Sequence, residues 1–85
     1  MHSMQATKGK IKAYLEVWYI NEAGLDVHVA SLQICQSYRQ EEIDEKIRAF
    51  EEKGIEALSQ ATRGYIEALI TSQYDPTFKV KTIAG

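Results

Sequence analysis

Alternating apolar and polar residues open the chain. From Lys10 to Ile20 every second residue is apolar, and β-branched and aromatic residues are frequent, which predicts a β-strand. A second strand is expected from about Leu25 to Ile34. Asn21 and Gly24 between them are typical of a type I turn followed by a bulge, so the two strands should form a hairpin. This turn and the apolar alternation predict the same register, which pairs Tyr19 with Val27, Trp18 with His28, Val17 with Val29, Leu15 with Ser31 and Tyr14 with Leu32.

The middle of the chain has helical spacing. Ser37–Gln40 fits a capping box, Ser first and Gln three residues later, and an apolar stripe follows at Ile43, Ile47 and Phe50. Gly54 predicts the end of this helix, and a second helical pattern extends from Ile55 to about Tyr74. Because the three-four spacing continues through Gly54, one long helix bent at that residue is the alternative.

The second helical pattern has an apolar stripe of its own, which we expect to be core. It consists of Tyr65, Ile66, Leu69 and Ile70. Gly64 within it weakens a helix, and a close packing contact at this position would explain its presence.

Asp75 and Pro76 end the helical region, and the residues after them predict a last strand. This strand covers Thr77 to Ile83, with Lys79 and Lys81 facing outward as on a protected edge. The expected fold is α+β, a two-layer sandwich with element order β-β-α-(α)-β. Since the first strand is apolar enough on both faces to be central, we expect a mostly antiparallel three-stranded sheet of order 2-1-3.

Length and composition narrow the class of protein. At 85 residues, 45% of them apolar and 26% charged, the chain predicts a single domain over residues 1–85 and excludes a disordered or collagen-like protein. Residues 1–8 show no periodicity and are expected to be flexible or a cloning remnant. With no apolar segment long enough for a membrane span or a signal core, and with Cys35 as the single cysteine, we expect a cytoplasmic protein without membrane partners.

The sheet face opposite the helices has an unusual predicted surface. In the expected register it gathers five apolar or aromatic residues, Tyr14, Trp18, Ile20, His28 and Leu32. Such a patch marks contact surfaces, and Trp and Tyr often carry interface energy. We therefore expect binding of a protein partner or of a second copy in a homodimer. The alternative is that another part of the chain covers the patch.

Basic residues close to the same face suggest a second function. Lys8, Lys10, Lys12, Lys79 and Lys81 would lie on the sheet side if the first and last strands are neighbours. Lysines beside aromatic rings are typical of sheets that bind nucleic acid. The net charge of −2 does not favour this alternative.

Catalytic chemistry has no support in the sequence. His2 and His28 are the two histidines, and no spacing suggests a metal or cofactor site. His28 and Cys35 should lie on opposite strand faces, so a nucleophilic pair is not expected. We predict a small non-catalytic protein-binding module, of the size of the inhibitors and adaptors that phages and mobile elements carry. A nucleic-acid-binding accessory domain is the alternative, and a small-ligand binder with a pocket between helices and sheet is a third.

Overall fold

The computed structural model describes residues 9–72 and 75–84. Three strands and two helices follow one another in the order β-β-α-α-β. They are β1 (Ile11–Ile20), β2 (Asp26–Ser37), α1 (Gln40–Lys53), α2 (Gln60–Thr71) and β3 (Thr77–Ile83), with a 3-10 turn (Gly54–Ala57) between the helices. The predicted α+β class and element order are confirmed. The predictions for residues 1–8, including Lys8, lie outside the described ranges.

The sheet is antiparallel, with strand order β2-β1-β3, as predicted. β1 is the central strand and pairs with β2 on one side and with β3 on the other. Ala13, Leu15 and Val17 point toward the helices and are fully buried. In β3, Val80 lies opposite Leu15 and Phe78 lies opposite Val17. These residues form the sheet half of the core.

The hairpin turn is fixed by the side chain of Asn21. Its Oδ1 accepts hydrogen bonds from the backbone N–H groups of Ala23 (2.9 Å) and Leu25 (3.0 Å). Gly24 N–H donates to the Asn21 carbonyl, and Gly24 has a φ of 80°, which favours glycine. The turn confirms the predicted register next to it, where Tyr19 pairs with Val27 and Trp18 with His28.

Farther from the turn the predicted register is wrong, because β2 contains two bulges. The first places Val29 as an extra residue, so that Val17 pairs with Ala30, and Leu15 with Leu32. The second places Ile34 as an extra residue, after which Ala13 pairs with Cys35. Between the bulges every β2 side chain therefore lies on the face opposite to the one predicted.

The helical region is divided into two helices, and the alternative of one bent helix is wrong. α1 ends where Gly54 takes a φ of 65° and a ψ of −144°, a conformation open to glycine alone among common residues. Ser59 caps α2 by accepting a hydrogen bond from Thr62 N–H. The predicted capping box at the start of α1 is also wrong, because the N-cap residue is Arg39. The Ser37 hydroxyl accepts a hydrogen bond from Arg39 N–H and donates one to the Glu42 carboxylate.

The helices contribute two fully buried side chains, Ile43 from α1 and Ile66 from α2. Phe50 of α1 packs edge-on against Phe78 of β3, with ring centroids 6.1 Å apart. Tyr65 and Ile70, predicted to be core, are instead exposed. Neither helix in the described ranges is long and apolar enough to cross a membrane.

Gly64 does not mark a close contact as predicted. A Cβ built on Gly64 meets no other part of the molecule within 4 Å. This glycine lies exposed in the interior of α2 without a positive φ, so neither packing nor backbone conformation requires it.

Candidate binding surface on the outer sheet face

The sheet face turned away from the helices is called the outer face here. Its membership follows from the register, because paired residues in neighbouring antiparallel strands point to the same side. It consists of Lys12, Tyr14, Glu16, Trp18 and Ile20 from β1, Asp26, His28, Ser31, Gln33 and Gln36 from β2, and Thr77, Lys79, Lys81 and Ile83 from β3.

Trp18 of the outer face contacts side chains from both neighbouring strands. Its ring lies against the His28 imidazole, with centroids 4.9 Å apart and planes tilted by 42°. On the β3 side the Lys79 ammonium lies 4.4 Å from the centroid of the indole, within the range of a cation–π interaction. Trp18 is therefore held in position from both neighbouring strands.

The indole N–H of Trp18 is buried, and no acceptor among the described residues meets it. Leaving a buried donor unpaired costs about 1–3 kcal/mol. Native proteins pair nearly all such groups, so an exception calls for an explanation. Among the described residues the Trp18 indole N–H is therefore an exception to this rule.

His28 is oriented along its own strand. Its Nε2 and the Ser31 hydroxyl share a hydrogen bond of 3.0 Å. Ser31 in turn lies opposite Glu16 in the ladder, and Glu16 lies opposite Lys79 on the other side. A polar row thus crosses the sheet next to the Trp18 row.

The bulge at Val29 changes which residues of β2 belong to the outer face. Leu32 was predicted beside Tyr14, but it pairs with Leu15 on the helix side, and Gln33 lies beside Tyr14 instead. Sequence reasoning missed Ser31 and Gln33 for the same reason, since nothing in the residues around Val29 signals a bulge. The two ends of the outer face remain apolar, with Ile20 60% exposed and Ile83 46% exposed.

The predicted basic patch is brought together only in part. Lys12, Lys79 and Lys81 lie on the outer face. The Lys10 ammonium instead lies 5.6 Å from the centroid of the Tyr38 ring, beyond the end of β2. Lys8 is outside the described residues. The outer face also contains two acidic residues, Glu16 and Asp26, so its charged groups sum to +1 when His28 is not counted.

Cys35 lies on the helix side of the sheet, away from His28, as the sequence predicted. Partial burial raises the pKa of its thiol, and the nearby Lys46 ammonium acts in the opposite direction with a smaller effect. A thiol with a raised pKa is a poor nucleophile at neutral pH. Within the described ranges, no three His, Cys, Asp or Glu side chains are grouped as metal ligands.

A cavity of about 130 Å³ lies between the sheet and α2. It is lined by Val17, Tyr19, Val29, Leu69 and Pro76. Pockets for small-molecule ligands are usually about 300–1,000 Å³. The cavity between the sheet and α2 is smaller than this range.

Comparisons with protein-family models, with curated proteins and with solved structures find no match to this chain.

Proposed function

We propose that the protein is a non-catalytic protein-binding module that contacts its partner protein through the outer face. We also propose that it is a homodimer. The observation that carries the proposal is Trp18, held between His28 and Lys79 with an unpaired indole N–H. A partly exposed Trp that neighbouring strands hold from both sides is the kind of side chain that anchors protein interfaces. The exposed ends of the face at Ile20 and Ile83 would add apolar contact area.

Mixed charge supports a protein partner over nucleic acid. Glu16 lies in the middle of the face, between the rows of Tyr14 and Trp18, and directly beside Lys79. A phosphate backbone crossing these rows would meet a carboxylate at the centre, where nucleic-acid-binding sheets place positive charge. A protein surface can match both signs at once.

Homodimerisation is supported by the size of the core. Among the described residues, the fully buried apolar side chains are Ala13, Leu15, Val17, Ile43 and Ile66. A domain this small has a narrow stability margin, and a second copy would bury further apolar surface.

The test compares two aromatic residues in affinity capture from the expression host. Trp18→Ser should abolish the capture of specific proteins that wild type retains. Tyr38→Ser is the matched control, because Tyr38 is 68% exposed but does not belong to the outer face. Equal capture by wild type and Trp18→Ser would refute the proposal.

A second variant separates binding from folding. Trp18→Phe keeps an aromatic ring and removes the unpaired N–H, so the free energy of unfolding should stay within about 1 kcal/mol of wild type. Capture should nevertheless weaken, since phenylalanine offers the partner a smaller ring than the indole of Trp18.

Fluorescence anisotropy with single-stranded RNA tests the alternative directly. We expect no binding at low salt. Binding that falls steeply as salt rises, and that Trp18→Ser removes, would replace the protein-binding proposal with nucleic-acid recognition.

A further inference from the structure

The edge of β2 that is turned away from β1 has no backbone hydrogen-bond partner among the described residues. β2 pairs with β1 on one side, and no backbone hydrogen bond from its other side occurs within the described ranges. The closing pair of the turn, Asn21 and Leu25, sets the alternation of the ladder. Asp26 and His28 consequently direct their N–H and C=O groups outward.

The two edges of the sheet differ in how they are protected against pairing. β3 follows Pro76 and contains Lys79 and Lys81, the residue types that discourage contact between edges. β2 is twelve residues long, and from Val27 to Ser37 it contains no Lys, Arg, Asp, Glu or Pro. Bulges twist a strand edge and hinder pairing at Val29 and Ile34, so the part of β2 suited to pairing is the regular segment between them, Ala30–Gln33.

We propose that β2 pairs with β2 of a second copy, antiparallel, to form a continuous six-stranded sheet. An antiparallel pair of identical strands has two-fold symmetry, so the contact closes after two chains and produces no fibre. A different protein would need its own free strand of matching length, whereas a second copy provides one of the same length and composition.

The faces of the sheet restrict the register. Residues paired between the two copies must point to the same side of the sheet, so one residue must face its own copy, and the axis passes midway between those two. If Leu32 is that residue, it meets Leu32 of the other copy on the helix side, while Ser31 faces Gln33 of the other copy on the outer side. The two Trp18 residues then lie on one broad surface and remain available.

This inference rests on the dimeric part of the proposed function, and its test is independent of any captured partner. The measurement is native mass spectrometry of the full chain at micromolar concentration, where wild type should be a dimer. The double variant Ser31→Lys/Gln33→Lys places lysine opposite lysine twice, which should raise the dimer dissociation constant at least about tenfold. Thr82→Lys, which adds a lysine on the β3 edge, should leave the dimer intact.

A second double variant, of opposite charge, distinguishes a weakened dimer contact from misfolding. Ser31→Glu/Gln33→Glu should also weaken its own dimer, and mixing it with the lysine variant should restore dimers that contain one chain of each. A monomeric wild type, an undiminished dimer in the lysine variant, or no mixed dimer would each overturn the proposal. Dissociation by Trp18→Ser would overturn it as well, because the contact would then lie on the outer face.

Discussion

Replacement by alanine at two glycines of the helical region should change the free energy of unfolding in opposite directions. A Cβ added at Gly64 or at Gly54 meets nothing within 4 Å, so neither substitution creates a steric clash with neighbouring side chains. The difference between them is backbone conformation. Gly64 lies inside α2 with helical geometry, whereas Gly54 has a φ of 65°.

The magnitudes follow from these conformations. Gly64→Ala should stabilise the protein by about 0.8–1 kcal/mol, because alanine loses less backbone entropy on folding and is the best helix former. Gly54→Ala should destabilise it by about 1–3 kcal/mol, since a residue with a Cβ is strained at this φ and ψ. For a domain of this size, 1 kcal/mol corresponds to about 4–8 °C in Tm.

Thermal and urea unfolding followed by circular dichroism measure both effects. We expect Tm to rise for Gly64→Ala and to fall for Gly54→Ala, with urea m-values unchanged. Shifts of the same sign in the two variants would refute the reasoning. So would a loss of stability in Gly64→Ala, because it would mean that the site is packed.

Three further predictions concern the turn, the thiol and the second helix. Asn21→Ala should cost about 1–2 kcal/mol in urea unfolding because two backbone N–H groups lose their acceptor, whereas Asn21→Asp keeps it; equal stability of the two variants would contradict this. Cys35 should be alkylated more slowly in the folded than in the urea-unfolded protein at neutral pH, and its stabilising contribution should be lost as pH rises through the raised pKa; equal alkylation rates would contradict the burial. Ile66→Ala should cost about 2–5 kcal/mol and Ile70→Gln less than about 0.5, as measured by thermal unfolding; similar costs would contradict the exposure of Ile70.

Local chemistry made most of the fold predictable. Alternation in β1, the turn at Asn21 and the strand after Pro76 each act through neighbouring residues, and together they indicated the strand order. Gly54 also ended the helix as its backbone freedom suggested. These features depend on short-range periodicity, which one sequence displays directly.

The errors share a different physical origin. The bulge at Val29 depends on how β2 fits against β1 and the helices, and no residue there has the left-handed preference that would mark it. Leu32 was consequently assigned to the wrong face. Tyr65 and Ile70 fit an apolar stripe, but Ile66 alone of that stripe is fully buried.

The part of the candidate surface near the turn was predicted correctly, and the part of β2 beyond the first bulge was not. Trp18 and His28 lie close to the turn, before the first bulge, so their pairing could be read from the turn itself. The unpaired indole N–H and the position of Lys79 over the ring depend on tertiary packing, which periodicity does not encode.

The two bulges give β2 spare length, with consequences for insertions and deletions. Val29 and Ile34 stand outside the one-to-one pairing, so losing either residue would leave the remaining pairs in register. A one-residue deletion at Ser31 could be absorbed by drawing Val29 into the ladder. β1 is paired on both sides and has no such reserve, so any deletion within it shifts side chains across two ladders. Length variation in this sheet should therefore be tolerated in β2 and rejected in β1.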